Sequence, residues 1–233
     1  MSEGCGTIAL RVRNVDFAYR YRTDASLGVR SLQDVNFDLH RGETLGIVGR
    51  NGAGKSTLLR VLAGVVKPTR GYVSKQAGVT CSLLSLGVGF MPDLSGADNV
   101  VISLMLQGMS EAEARSKLDE IKEFSELGAA FNSRVKTYSS GMRSRLTFSA
   151  SLHSSCDVLL VDEVLAVGDW QFKRKASAAL KKKIMGDQTV VLVSHSNAAI
   201  HDLCNRVLLL DAGRVVSVGD TQETMHMYES GVK

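Results

Sequence analysis

Gly49-Arg50-Asn51-Gly52-Ala53-Gly54-Lys55-Ser56-Thr57 has the form G-x-x-x-x-G-K-[ST], and its neighbours decide how it is read. Residues 45–49, Leu-Gly-Ile-Val-Gly, form a short apolar run that enters the glycine-rich turn as a buried strand. Lys55 to Ala63 has helical spacing, with Gly64 just beyond its end as a stop signal. A strand, a glycine-rich loop and a helix in that order make a cradle for phosphates. The glycines let backbone N–H groups turn inward, the helix N-terminus adds partial positive charge, and Lys55 neutralises the terminal phosphates. Ser56 is placed to offer its hydroxyl to magnesium.

The rest of the chain supplies a sheet for this loop. The apolar runs 158–161, Thr189 to Val193 and 207–210 are separated by helix-length segments, the pattern of a parallel sheet. Asp211-Ala212-Gly213 then turns the chain into a last strand over 214–218. Alternation in Ile8-Ala9-Leu10-Arg11-Val12 and Val35-Asn36-Phe37-Asp38-Leu39 predicts antiparallel strand in the first forty-odd residues. Between these parts lie two helical stretches. One covers 110–127, opening on the capping-box spacing Ser110-Glu111-Ala112-Glu113 and carrying Ala114, Leu118, Ile121 and Phe124. The other starts near Ser140, with Met142, Leu146 and Leu152 on one side. The expected fold is therefore α/β: a core of about 1–85 and 156–233, with an antiparallel β-subdomain at its start and an inserted α-helical subdomain of about 86–155.

With 28 Lys and Arg against 24 Asp and Glu, the net charge of +4 is too mild to argue for nucleic acid. Cys5, Cys81, Cys156 and Cys204 are too scattered for a metal site and read as reduced thiols. No apolar stretch is long enough to span a bilayer, and the first residues do not resemble a signal peptide.

Val158-Leu159-Leu160-Val161-Asp162-Glu163 is a buried strand ending in two adjacent carboxylates. Asp162 suits magnesium, and Glu163 is placed to polarise an attacking water. Tyr138-Ser139-Ser140-Gly141-Met142 offers hydroxyls and N–H groups at a helix start, which serve either as a second anion site or as a plain helix N-cap. His195 follows the strand Thr189 to Val193; a lone histidine there is more often structural.

Taken in this order, the pieces resemble the nucleotide-binding subunit of an ABC transporter over essentially the whole chain, which implies a P-loop, RecA-like ATPase core. In that family two such domains pack head to tail, and each ATP lies between the phosphate loop of one copy and the signature segment of the other. The resemblance implies that residues Gly49 to Thr57 bind ATP and that Ser56 and Asp162 hold Mg2+. It makes Glu163 the general base and His195 a switch on the γ-phosphate. Ser139, Ser140 and Gly141 reach the γ-phosphate across the homodimer, and Asp169 lies in the loop that crosses to the partner. Tyr19 is the first choice for stacking on adenine, with Tyr21 the alternative.

The segments 137–146, 161–169 and 86–96 look like the forms used by bacterial exporters of capsule, O-antigen and teichoic acid. That narrower resemblance implies a peripheral subunit at the cytoplasmic face of the inner membrane. Its partners are a separate membrane permease and a lipid-linked polysaccharide cargo, without nucleic acid. The alternative is a non-transport ABC ATPase acting on ribosomes or nucleic acid. A phosphate-loop GTPase is disfavoured by the lack of an Asn-Lys-x-Asp motif. One departure stands out. The glutamine that many such subunits place before the helical block has no match in 83–90, and Ser85 or a water is left to substitute, implying slow hydrolysis by the isolated chain.

Lys173-Arg174-Lys175 and Lys181-Lys182-Lys183 share one helix-length segment, read first as a solvated face and second as a contact for anionic headgroups or nucleic acid. Beyond Gly219 the expectation is a short tail with no room for a carbohydrate-binding domain.

Overall fold

The computed structural model describes residues 7–21, 24–84, 89–162 and 169–231, with the backbone alone over 20–21 and 24–29. In chain order the elements are strands β1 (Ile8–Tyr21), β2 (Asp24–His40) and β3 (Thr44–Val48), helix α1 (Lys55–Ala63), and strands β4 (Arg70–Lys75) and β5 (Cys81–Leu84). Helices α2 (Gly96–Leu106), α3 (Glu111–Ser116), α4 (Leu118–Ser125) and α5 (Ser140–Leu152) follow, then β6 (Val158–Asp162) and α6 (Trp170–Ile184). The chain closes with β7 (Thr189–Val193), α7 (Asn197–Leu203), β8 (Arg206–Asp211), β9 (Arg214–Asp220) and α8 (Thr221–Ser230). The described residues of Met1–Val79, Val158–Glu163 and Ile184–Lys233 form one compact unit, and those of Thr80–Asp157 and Val164–Lys183 form another.

In the first unit, β1 pairs antiparallel with both β2 and β4, giving the order β2-β1-β4. The alternation seen in the sequence sets the faces: Leu10 and Val12 are fully buried opposite Leu39 and Phe37, while Arg11 between them is exposed. The second sheet runs β6-β7-β3-β8-β9, parallel except for β9. β3 and β7 are buried at every residue, which is why they read as unbroken apolar runs rather than alternating ones. Register matters most here. Val193 lies opposite both Ile47 and Asp162, so β3, β6 and β7 finish at one edge of the sheet.

The second unit has its own core, in which Val100 and Leu104 of α2 pack with Ile121, Phe131, Leu146 and Ala150. The Ser110–Glu113 capping box forms as expected. The single helix expected over 110–127 is instead two, broken at Lys117. Ser116 Oγ donates to the Glu113 carbonyl at 2.8 Å, an i−3 bond that competes with the helical ladder and tightens the turn. Two helices were not expected at all. α2 is capped by Ser95, whose Oγ accepts from the Asp98 N–H at 3.1 Å. The expected short tail contains α8, where Asp220 accepts from the N–H groups of Gln222 and Glu223.

α6 is fixed in the second unit by Phe172, which is fully buried and meets Phe124 and Phe148 edge-on at 5.9 and 6.3 Å, with the Arg145 guanidinium over its ring. Phe172→Ala is expected to cost about 3–5 kcal/mol, because the cavity is walled by aromatic rings that cannot collapse into it. Urea unfolding checks this, and a loss below ~1 kcal/mol would show that the site relaxes.

Candidate functional site

The phosphate loop is wedged into the first unit by two close approaches. Gly49 has φ 153°, and a Cβ there would lie 2.1 Å from the Leu210 carbonyl oxygen. Gly54 has φ 105°, and a Cβ there would lie 2.4 Å from the Ser31 carbonyl oxygen. The Asp211-Ala212-Gly213 turn braces the loop from behind: the Gly213 N–H donates to the Ala53 carbonyl at 3.0 Å, and its carbonyl accepts from the Gln33 N–H at 2.8 Å. Ala53, Lys55 and Thr57 are buried, while Arg50, Asn51, Gly52 and Ser56 face solvent at the rim.

Lys55 folds back over the loop. Its Nζ donates to the carbonyls of Gly49 at 2.6 Å and Arg50 at 3.1 Å, so the ammonium is held at the centre of the turn. No side chain caps α1, and no acidic residue occupies its first turn. The backbone N–H groups of that turn therefore point at the place where an anion would sit.

Tyr19 is tied to this helix. Its hydroxyl lies 3.3 Å from Thr57 Oγ1 and accepts from Arg60 Nη1 at 3.2 Å, and its ring meets Phe17 edge-on. The bond with Thr57, then the Arg60 guanidinium, holds the phenol below its usual pKa. The side chain remains 38% exposed. Ser31 Oγ donates to Thr57 Oγ1 at 2.8 Å, which fixes the threonine rotamer from β2. Ser31 and Arg60 were not singled out in the sequence. Neither belongs to a motif; Ser31 is found because β2 meets α1 at Thr57, and Arg60 because Tyr19 of β1 reaches the same helix.

Asp162 is the first residue of β6 to emerge from burial. His195 is exposed two residues after β7, and Ser196 beside it caps α7 by accepting from the Ala199 N–H at 3.3 Å. By the sheet register, Asp162, His195 and the loop after β3 share one edge, where open α/β sheets place their ligands. An exposed hydroxyl at Ser56 and a partly exposed carboxylate at Asp162 are hard oxygen donors of the kind magnesium takes when phosphates and water complete its shell. Glu163 and the side chain of Tyr21 lie outside the described residues, as does Ser85.

The other sequence candidates belong to the second unit. Ser139 caps α5, its Oγ accepting from the Met142 N–H at 3.1 Å; Ser140 is exposed and Gly141 partly so. Tyr138 is buried and donates to the Ala130 carbonyl at 2.6 Å, so it anchors the turn rather than meeting a ligand. Asp169 caps α6 by accepting from the Phe172 N–H at 3.0 Å and pairs with Arg145; these two contacts, in that order, hold its carboxyl below the usual range.

A family model described as ABC transporter matches residues 32–166. The O-antigen export system ATP-binding protein RfbB of Klebsiella pneumoniae is 37% identical over 202 residues, 87% of this chain and 82% of its own. The teichoic acids export ATP-binding protein TagH of Listeria monocytogenes is 39% identical over 203 residues, 87% of this chain and 60% of its own. The matched part of this chain spans about half to two thirds of the length of several such relatives. Among solved structures, a dimeric ATP-binding cassette in a post-hydrolysis state with ADP and Pi superposes with a TM-score of 0.71 at 25% identity, covering 91% of this chain and 98% of that one.

Proposed function

Because this chain belongs to the ABC transporter family, we propose that it is the ATP-hydrolysing subunit of an exporter moving a lipid-linked polysaccharide across the bacterial cytoplasmic membrane. The observation that carries the reading is the shared sheet edge, where the phosphate loop, Asp162 and His195 converge. The relatives named for O-antigen and teichoic acid export favour a glycan cargo.

In this reading the loop N–H groups from Gly49 to Thr57 cradle the phosphates, and Lys55 exchanges its carbonyl partners for phosphate oxygens. Tyr19 offers its ring to adenine while its hydroxyl stays tied to Thr57. Ser56 and Asp162 would hold magnesium, which would supply positive charge for the terminal phosphate oxygens. Glu163 accepts the proton of the attacking water, and His195 donates to the γ-phosphate. Ser139, Ser140 and Gly141 of a second copy close the site, with Asp169 at the crossing loop. Homodimerisation and a separate permease follow from that arrangement. No helix among the described residues is long and apolar enough to cross a membrane.

The test is recovery of the Glu163→Gln chain from native membranes with ATP and magnesium in mild detergent. An integral membrane protein with bound glycolipid is the expected companion. Ribosomes or nucleic acid without a membrane protein would discard transport.

A further inference from the structure

α6 carries six basic residues and no acidic one, so the rest of the chain holds 22 basic against 24 acidic residues. The second unit's own contacts account for two of the six. Lys175 Nζ donates to the Phe124 carbonyl at 3.0 Å and to Glu126 Oε1 at 2.8 Å. Lys183 Nζ donates to the carbonyls of Leu152 at 2.5 Å and Ser154 at 2.9 Å, closing the end of α5. Lys173, Arg174, Lys181 and Lys182 are exposed and make no ion pair among the described residues.

These four are joined by an exposed aromatic. Trp170, the chain's sole tryptophan, is 67% exposed, and the Arg174 guanidinium lies 4.8 Å from its ring centroid. At helical spacing Trp170, Arg174 and Lys181 fall on one line, opposite the line of Phe172, Ala176 and Leu180 that is buried. Ala178, between Arg174 and Lys181, keeps the line low, and among the described residues the groove along it is shallow and lined by this helix.

We propose that this face of α6 docks on an acidic phospholipid surface, with Trp170 in the headgroup layer, Arg174 and Lys181 facing lipid phosphates, and the long side chains of Lys173 and Lys182 reaching them from the two flanks. Charge complementarity selects the occupant. A second copy related by a two-fold axis would set these cations against themselves. A polynucleotide asks for a charged groove with repeated aromatic platforms, whereas this face has one ring at one end of a straight line of about 16 Å. A planar interface takes both features at once, since tryptophan favours the headgroup level and basic residues favour anionic lipid.

Trp170 reports on its own surroundings, because no other tryptophan contributes emission. The purified full chain is titrated with vesicles of phosphatidylcholine alone and of phosphatidylcholine mixed with phosphatidylglycerol. A blue shift confined to the anionic vesicles and reversed by salt is expected. Lys181→Glu combined with Lys182→Glu should weaken that partition by at least about 25-fold, at roughly fivefold per cation, with ATP turnover unchanged. Equal response to both vesicle types, or to neither, overturns the proposal. So does a shift that grows with protein concentration without vesicles, which gives the face to a second copy. A shift with a single-stranded oligonucleotide but not with vesicles overturns it in favour of nucleic acid.

Discussion

Glu163→Gln is expected to lower ATP turnover by about 10²–10⁴-fold while leaving ATP affinity within a few-fold, the size of effect removal of a positioned general base produces. The separation of the two effects follows from where β6 ends. Asp162 is the last residue of the strand and lies in register with Val193, so it stands at the edge where the proposed reading puts the phosphates. Glu163 follows it directly in the sequence, which in the proposed reading gives the attacking water its proton acceptor. Gln keeps the size and one hydrogen-bonding oxygen of the side chain but has no basic lone pair of carboxylate strength, so the water loses its proton acceptor and the nucleotide keeps its contacts. The consequence is an ATP-loaded chain that does not turn over, which should accumulate as a dimer on size exclusion. Asp162→Asn should behave differently, raising the magnesium concentration needed for binding. Wild-type turnover by Glu163→Gln would remove Glu163 from the role of base and leave His195, at the same edge, as the group to test next.

Short-range chemistry made much of this architecture readable before any coordinates. The Leu-Gly-Ile-Val-Gly run, the glycine loop and the Lys55 to Ala63 periodicity each act within a few residues, and β3 and α1 form where those signals stand. The same holds for the capping box at Ser110. α2 and α8 carried comparable signals, Ser95 three residues before Asp98 and Asp220 three before Glu223, but their weak apolar periodicity hid them. The break at Lys117 depends on which way the Ser116 hydroxyl turns, and that is decided by packing around it. What the sequence could not carry is contact between distant segments. Ser31 reaches Thr57 across 26 positions, and Gly213 braces Ala53 across 160. The division of the α6 cations is of the same kind: Lys175 and Lys183 are absorbed by Glu126 and the end of α5, and nothing in two triplets of basic letters distinguishes them from Lys173 or Lys181.

Gly49→Ala and Gly52→Ala are expected to fail in different ways. At Gly49 an added Cβ would lie 2.1 Å from the Leu210 carbonyl oxygen and 3.1 Å from its carbon, both backbone atoms of β8 that cannot move without disturbing the sheet. Folding should therefore lose about 3 kcal/mol or more, a clash added to an unfavourable φ. At Gly52 a Cβ meets nothing within 4 Å, and the cost is that of φ +81° alone, about 1–2 kcal/mol. The open space there is on the exposed rim of the loop, where in the proposed reading backbone approaches a phosphate closely. Gly52→Ala should then fold but lose the stabilisation that nucleotide gives the wild type, roughly 2.7 kcal/mol at a hundred times Kd. Urea titrations with and without ATP separate the outcomes. If Gly52→Ala keeps its full ATP-dependent gain, the loop does not wrap the phosphates as its sequence implies. If Gly49→Ala unfolds no more easily than Gly52→Ala, the close approach to Leu210 is not what holds the loop in place.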